Sequence, residues 1–212
     1  MTVSIEPLTV QRWDDLVTLF GRGGANSGCW CMWWRLRAKD WSAGAGAAAH
    51  DPVHGNKAAF EAVVETGEPT GLLAYDDGVP VGWCAAAPRS AYPRLLRSTT
   101  IAPLDPDEAG VWSVSCFFIK RSHRARGLGH TLLAAAVKWA FEQGASAIEG
   151  YPVETDGVRR PSGDYFTGTV SQFARAGFAR EPRPSTGHRV VMRRRAAGAA
   201  TSAEAANSEE VE

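Results

Sequence analysis

Residues 118–133 read FIKRSHRARGLGHTLL: an apolar strand, a basic loop with two glycines, and the start of an amphipathic helix. This junction constrains the chain more than any other stretch. A strand that feeds a tight turn and a helix N-terminus aims several backbone N–H groups at one point, and the helix dipole adds partial positive charge there. The turn is therefore an anion site before any side chain is counted. Gly127 and Gly129 permit close approach of the anion or a left-handed φ. Lys120, Arg121, Arg124 and Arg126 crowd the same turn and suit a multiply phosphorylated ligand. The residues after Gly129 exclude two common nucleotide loops. A Walker loop ends in Gly-Lys-Ser/Thr, whereas Gly129 precedes His130 and Thr131. A dinucleotide fingerprint needs a third glycine where Leu132 stands, and it follows the first strand of a βαβ unit rather than a late strand.

The rest of the chain supplies an α/β frame for this loop. VSIEPL predicts a first strand, and residues 9–21 a helix with Thr9 as N-cap and Gly21 as stop. Residues 56–67 predict a second helix, capped by Asn56, closed by Gly67 and burying Phe60, Val63 and Val64. Residues 71–88 read as a hairpin turning at Asp77-Gly78, with Pro88 ending its second strand. The proline-interrupted stretch 89–110 reads as irregular, and 111–120 as a central strand. A helix over 129–143 puts Leu132, Leu133, Ala136, Val137, Ala140 and Phe141 on one stripe, with Gly144 as its C-cap. Strands at 146–153 and 188–194 flank a short helix within 168–178. The predicted order is β-α-α-β-β-β-α-β-α-β: one mixed sheet flanked by helices, forming a single domain over residues 1–195. Residues 196–212 have little to bury and are expected to be disordered.

Charge and hydropathy narrow the partners. The 23 basic and 23 acidic residues balance, but four of the acids lie after Arg195, which leaves the domain at net +4. That surplus suits an anionic ligand and is too small to argue for nucleic-acid binding. No stretch approaches the roughly 20 apolar residues of a membrane span, and the N-terminus lacks the pattern of a signal peptide. The expectation is a cytoplasmic protein with no membrane or nucleic-acid partner, its four cysteines reduced.

With its strand and helix, the pattern Arg124-x-x-Gly127-x-Gly129 resembles the acetyl-coenzyme A signature of the GCN5-related N-acetyltransferases (GNAT). DDGVPVGWCAAAPR is similar to the second and third strands of that family. FIKRSHRARGLGHTLL is similar to its fourth strand, pyrophosphate loop and third helix, and SQFARAGF to its fourth helix. The resemblance runs in order over roughly residues 2–194. It implies a GNAT-like mixed sheet whose fourth and fifth strands splay apart around the pantetheine arm. Backbone groups of Phe117, Phe118 and Ile119 would then bind that arm and polarise the thioester. The amides of Arg124, Ala125, Arg126, Gly127, Leu128 and Gly129 would take the pyrophosphate. It implies transfer of an acetyl group from acetyl-CoA, a co-substrate, to a primary amine of a small molecule or protein by direct attack, without a metal. The implied partners are acetyl-CoA and the amine acceptor, with a homodimer left open.

The chain departs from the family where a tyrosine often protonates the leaving thiolate, because that position is Phe173. Tyr165 is the hydroxyl nearest in sequence, with Tyr151 as second choice. Ser115 could position a water, and Glu149 or Glu154 could accept a proton. A non-catalytic acyl-CoA-binding module is the alternative that Phe173 leaves open. A third reading starts from GCWCMWWRLRAKDW, whose Cys29 and Cys31 invite a thiol or zinc site. A closed zinc site takes about four ligands, and Cys84 and Cys116 fall in predicted strands, so no metal is expected. The tryptophans of that loop either pack the core or form an aromatic wall for the acceptor. Asp40, Asp51 and the Asp105/Asp107/Glu108 cluster could steer an amine. The basic runs at Arg159-Arg160 and Arg193–Arg195 read as solvated or as holding an outer phosphate.

Overall fold

The computed structural model describes residues 3–25, 28–42, 52–158, 160–182 and 187–198. The low-complexity loop after Ser42, Asp51, Arg159 and most of the tail expected to be disordered lie outside these residues. Strands are β1 (Val3–Pro7), β2 (Gly71–Asp76), β3 (Val79–Pro88), β4 (Val111–Ile119), β5 (Ala147–Gly150), β6 (Ala179–Arg180) and β7 (Met192–Arg195). Helices are α1 (Trp13–Phe20), α2 (Ala38–Ser42), α3 (Pro52–Glu65), α4 (Pro93–Leu96), α5 (Leu128–Glu142) and α6 (Val170–Arg175). The strands form one seven-stranded sheet in the order β1-β2-β3-β4-β5-β7-β6. Among these strands of the described residues, β4 and β5 are the parallel pair.

The β2–β3 hairpin turns where the sequence predicts. Asp76 pairs with Val79, and Asp77 and Gly78 both hold positive φ, 48° and 80°. A two-residue turn matched to strand twist needs that pair of conformations. Both faces of β3 are buried. On one face Leu72, Ala74, Val81 and Cys84 meet Leu132, Leu133, Ala136 and Val137 of α5. On the other, Leu73, Trp83 and Ala85 meet Trp13, Leu16 and Phe20 of α1 and Phe60 of α3. Sandwiching a sheet between helix layers in this way is what a chain with two apolar sheet faces requires.

Several boundaries move for physical reasons. Thr9 precedes a 3-10 turn, Val10–Arg12, and makes no side-chain cap. Helix α3 starts at Pro52, so Asn56 lies inside it. Its buried amide donates to the Gly28 carbonyl at 2.9 Å, pinning the tryptophan loop instead of capping a helix. The stretch 89–110 contains a 3-10 turn and α4. Strand β5 stops at Gly150 rather than continuing to Val153, and β7 begins only at Met192.

A buried ring packs where β5 ends. The Phe173 side chain lies against Gly150 so closely that a Cβ there would meet ring carbon Cε1 at 1.9 Å. Phe173 is fully buried and stacks edge-on against Phe178 at 4.9 Å and Phe117 at 6.2 Å. The ring thus fills the point at which the chain leaves the sheet.

Candidate active site

The site grows from the parting of two strands. Strand β4 pairs with β5 only from Val111 to Val114, opposite Ala147 to Gly150. Beyond Val114, β4 keeps β3 on one side, as far as Ile119 opposite Gly82, while its other edge has no strand partner among the described residues. The β3–β4 register slips between Ala85 and Ala86, opposite Cys116 and Val114, so Ser115 is the extra residue of a bulge. A bulge turns a strand and re-aims side chains. Here it sits where the two strands separate.

At its C-terminal end β4 passes through the 3-10 turn Arg121–His123 into α5. Ala125 and Gly127 hold positive φ, 59° and 82°, and Gly127 is the N-cap residue of α5. Among the described residues, the amides of Ala125, Arg126, Gly127, Leu128 and Gly129 find no backbone acceptor. The helix bonding begins with His130 donating to the Gly127 carbonyl at 2.8 Å. Five free donors at a helix N-terminus form the cradle expected of an anion site. A Cβ on Gly127 would meet nothing within 4 Å, so the space before the cradle is open. The two glycines act differently. Gly127 supplies the left-handed turn, whereas Gly129 makes room for Gln172, whose amide nitrogen would lie 3.2 Å from a Cβ there. Gln172 donates to the Gly129 carbonyl at 2.9 Å and ties α6 to the first turn of α5. The buried Leu128 side chain anchors the turn in the core, close over Gly82. Arg124 donates through Nε to the Ile119 carbonyl at 2.9 Å, so the arginine of the loop closes the end of β4.

A cavity of about 640 Å³ opens along the free edge of β4, within the usual range of small-molecule sites. Ser115, Phe117, Phe118, Ile119, Arg124, Gly129 and Tyr165 all border it. Ala125, Arg126 and Gly127 lie beyond its rim in the exposed loop. Tyr165 belongs to the 3-10 helix Ser162–Thr167, and its hydroxyl accepts the Arg160 N–H at 3.1 Å. Sequence reasoning passed over Gln172 and Phe166, which also border the cavity, as does Cys29, read from the sequence as a thiol or zinc candidate. A signal for Gln172 was present: Thr169-x-x-Gln172 has the spacing of a helix capping box. Thr169 does accept the Gln172 N–H, at 3.3 Å, but the glutamine side chain turns to α5.

The other proton-transfer candidates are elsewhere. Tyr151 is buried, bonded to Ser113 at 2.9 Å and to Glu149 at 3.1 Å. Burial and the Glu149 charge push its hydroxyl well above the ordinary range. Glu149 is 1% exposed and pairs with Arg89 at 3.0 Å. Glu154 pairs with Arg180 at 2.6 Å. The acidic cluster and basic run also answer each other. Glu108 holds Arg193 and, at 3.2 Å, Arg195, and Arg194 donates to the Ala176 carbonyl at 2.6 Å. Glu108 thus ties the segment before β4 to β7.

The tryptophan loop divides between core and wall. Trp30 and Cys31 both adopt left-handed φ, 43° and 58°, an uncommon conformation for such side chains. Trp30 is 1% exposed and packs on Phe20 at 5.4 Å. After that double turn Trp33, Trp34 and Trp41 border the cavity. Cys31 accepts a hydrogen bond from the Trp83 indole at 3.1 Å. The Cys116 thiol, then Trp83 and Arg35, hold Cys31 below its ordinary thiol range against the effect of burial. Among the described residues no three His, Cys, Asp or Glu side chains converge as metal ligands, and no helix is long and apolar enough to cross a membrane.

No curated protein sequence matches the chain. Its fold is similar to that of the PaiA N-acetyltransferase from Thermoplasma acidophilum in complex with coenzyme A, at 16% identity and a TM-score of 0.51, over 92% of this chain and 100% of that one. It is similar to AAC(6')-Ib in complex with ribostamycin and coenzyme A, at 17% identity and a TM-score of 0.53, over 92% and 94% of the two chains. A GCN5-related N-acetyltransferase from Kribbella flavida shares 21% identity, a TM-score of 0.51, and coverage of 92% and 98%. The model of the acetyltransferase (GNAT) family matches residues 30–158, a span that contains the hairpin, the parting strands and the amide cradle. The chain therefore belongs to the acetyltransferase (GNAT) family.

Proposed function

We propose that the protein transfers an acetyl group from acetyl-CoA to a primary amine by direct attack of the neutral amine on the thioester. The observation that carries this reading is the continuity of the unpaired β4 edge beyond Val114 with the free amides of 125–129. An extended amide-containing arm can pair with that edge as a strand would, and its pyrophosphate can then fill the amide cradle. The residues fit the group: open space lies before Gly127, and Arg121, Arg124 and Arg126 are exposed beside it.

On this reading, the backbone groups of Phe117 and Ile119 on the unpaired edge of β4 hold the arm and polarise the thioester carbonyl. Charge developing on that oxygen then meets a fixed donor. Phe118, whose backbone faces Trp83 of β3, contributes its side chain to the cavity wall. Phe173 carries no proton, so the Tyr165 hydroxyl on the cavity wall is assigned the proton donated to the leaving thiolate. Ser115, at the bulge, positions the water that carries the amine proton away.

Calorimetric titration with acetyl-CoA, coenzyme A and ATP tests the reading. Acetyl-CoA and coenzyme A should bind, ATP should bind weakly, and Arg124→Ala should raise the acetyl-CoA Kd about tenfold, as loss of a charge-assisted contact does. Failure of acetyl-CoA to bind would refute the assignment. Binding without acetylation of any amine or hydrolysis would favour the non-catalytic module, which Phe173 in the donor position supports.

A further inference from the structure

We propose that the acceptor is a flat aromatic molecule whose amine is uncharged near neutral pH, an arylamine, and that alkylammonium and polycationic acceptors are disfavoured. The inference rests on the acetyl-CoA reading and extends it to the substrate class.

The first observation is what the cavity lacks. Among the described residues bordering it there is no Asp, Glu, His or Lys, and Arg124 is the only side chain carrying full charge at neutral pH. Three of the carboxylates that could serve are paired elsewhere, Glu149 with Arg89, Glu108 with Arg193 and Arg195, and Glu154 with Arg180. Asp40, next to Trp41 in the chain, does not border the cavity. Asp164, beside the rim, acts on Arg189. An ammonium group entering this cavity would lose its water without gaining a counter-charge, which is costly. It would also need a base to remove its proton before attack, since an alkylamine titrates in the range of lysine, near about 10.4. An arylamine is protonated only in acid, so it arrives with its lone pair free.

The second observation concerns the aromatic wall. Trp33, Trp34 and Trp41 form one side of the cavity, and Tyr165 and Phe166 another. Indole faces attract cations, but this wall already holds one. The Arg94 guanidinium lies 4.0 Å from the centre of the Trp33 ring and 5.7 Å from that of Trp41. It is fixed there by the Leu36 carbonyl at 3.1 Å and the Arg37 carbonyl at 3.3 Å. A second cation would meet Arg94 and Arg124 without compensation. A neutral ring stacks on the same surface unopposed.

The reaction balances without another reagent. The arylamine nitrogen forms a bond to the thioester carbonyl carbon, the carbon–sulfur bond breaks, and one N–H proton ends on the coenzyme A thiolate. The products are an N-aryl acetamide and the free thiol.

The test uses the intact protein, acetyl-CoA, and the isomers p-toluidine and benzylamine, with ribostamycin as polycation. Acetylated products are measured by mass spectrometry, and acetyl-CoA binding by calorimetry. At pH 7, kcat/KM should be at least about tenfold higher for p-toluidine than for benzylamine. It should be flat between about pH 6 and pH 9 for p-toluidine and rise with pH for benzylamine. Trp33, 38% exposed at the rim, can be truncated without opening the core; Trp33→Ala should reduce the preference between the isomers about tenfold. A preference for benzylamine or ribostamycin would overturn the substrate class while leaving the transferase intact. So would acetyl-CoA binding with product from benzylamine but none from p-toluidine, or a preference unmoved by Trp33→Ala. Binding with no product from any of the three amines would overturn the transferase reading as well. Failure of acetyl-CoA to bind would overturn both readings.

Discussion

Gly150→Ala tests whether the Phe173 ring fixes the point where β5 ends. A Cβ at position 150 would lie 1.9 Å from Cε1, 2.5 Å from Cζ and 2.8 Å from Cδ1 of that ring. Carbon atoms settle at about 3.5–4.0 Å, so the ring or the strand must move by roughly 1.6 Å. The ring has nowhere to go. Phe178 and Phe117 stack on it, and its Cε2 is already 2.9 Å from where a Cβ on Gly168 would stand. Overpacking a filled core costs typically about 1–3 kcal/mol, and a contact this deep belongs at about 3 kcal/mol. For a chain of this size that lowers Tm by roughly 6–12 °C. Urea unfolding followed by tryptophan fluorescence, with unchanged m-value, measures the loss. Phe173→Leu removes Cε1 and Cζ, the two atoms that clash most, and leaves a side chain that can rotate. In the double variant the two losses should therefore fall short of their sum by at least about 1 kcal/mol. A loss below about 1 kcal/mol for Gly150→Ala, or losses that add within about 0.5 kcal/mol, would refute the reasoning.

Two further outcomes concern the loop and the far edge of the sheet. At Gly127, φ is +82° and the space is open, so Gly127→Ala should cost about 1–2 kcal/mol through its backbone alone. Gly127→Asn should recover most of that stability, because Asn tolerates the left-handed region, yet still weaken acetyl-CoA binding measured by calorimetry; tight binding by the Asn variant would place the pyrophosphate elsewhere. Burial opposes ionisation of Glu108, but Arg193 and Arg195 outweigh it and hold the carboxyl below its ordinary 4.5. A depressed folded value means stability that is complete above pH 4.5 and lost as pH falls through that lower value. Glu108→Gln should thus lose about 2 kcal/mol at pH 7, a gap from wild type in urea midpoints that closes toward pH 3; a gap constant with pH would mean the carboxylate charge is not what stabilises.

What was legible in the sequence was local. The hairpin turn, the helix stripe of α5 and the loop at 124–129 are each written in adjacent residues, and each stands where its spacing places it. What was not legible depends on partners far along the chain. Glu149 reads as a candidate base until Arg89, sixty residues earlier, is found 3.0 Å away. The run Arg193–Arg195 reads as solvated until Glu108, eighty-five residues before Arg193, reaches it. Asn56 has the chemistry of a helix cap, but helix nucleation moved upstream to Pro52 and released its amide for Gly28. The tryptophans were undecidable for a related reason. Which indole turns inward is settled by two consecutive left-handed residues, Trp30 and Cys31, a conformation that neither residue type favours.

These long-range pairings also bear on the chemistry. Burying Glu149 against Arg89 and Glu108 against Arg193 secures β5 and β7, the strands on the far side of the parting from β4. Filling the exit of β5 with the Phe173 ring fixes how far β5 runs beside β4. Both choices hold the parted strands by carbon packing and internal ion pairs, and both remove ionisable groups from the space between them. An active site assembled from side-chain acids would have to hold carboxylates near the reacting atoms against their own desolvation. On the proposed reading this one binds and polarises the thioester with backbone amides, which need no charge and are fixed by the strand and helix that carry them. Only proton transfer is left to the neutral side chains of Tyr165 and Ser115. Such a site supplies orientation and oxyanion stabilisation at little electrostatic cost. It leaves the acceptor's own basicity to decide how readily it reacts.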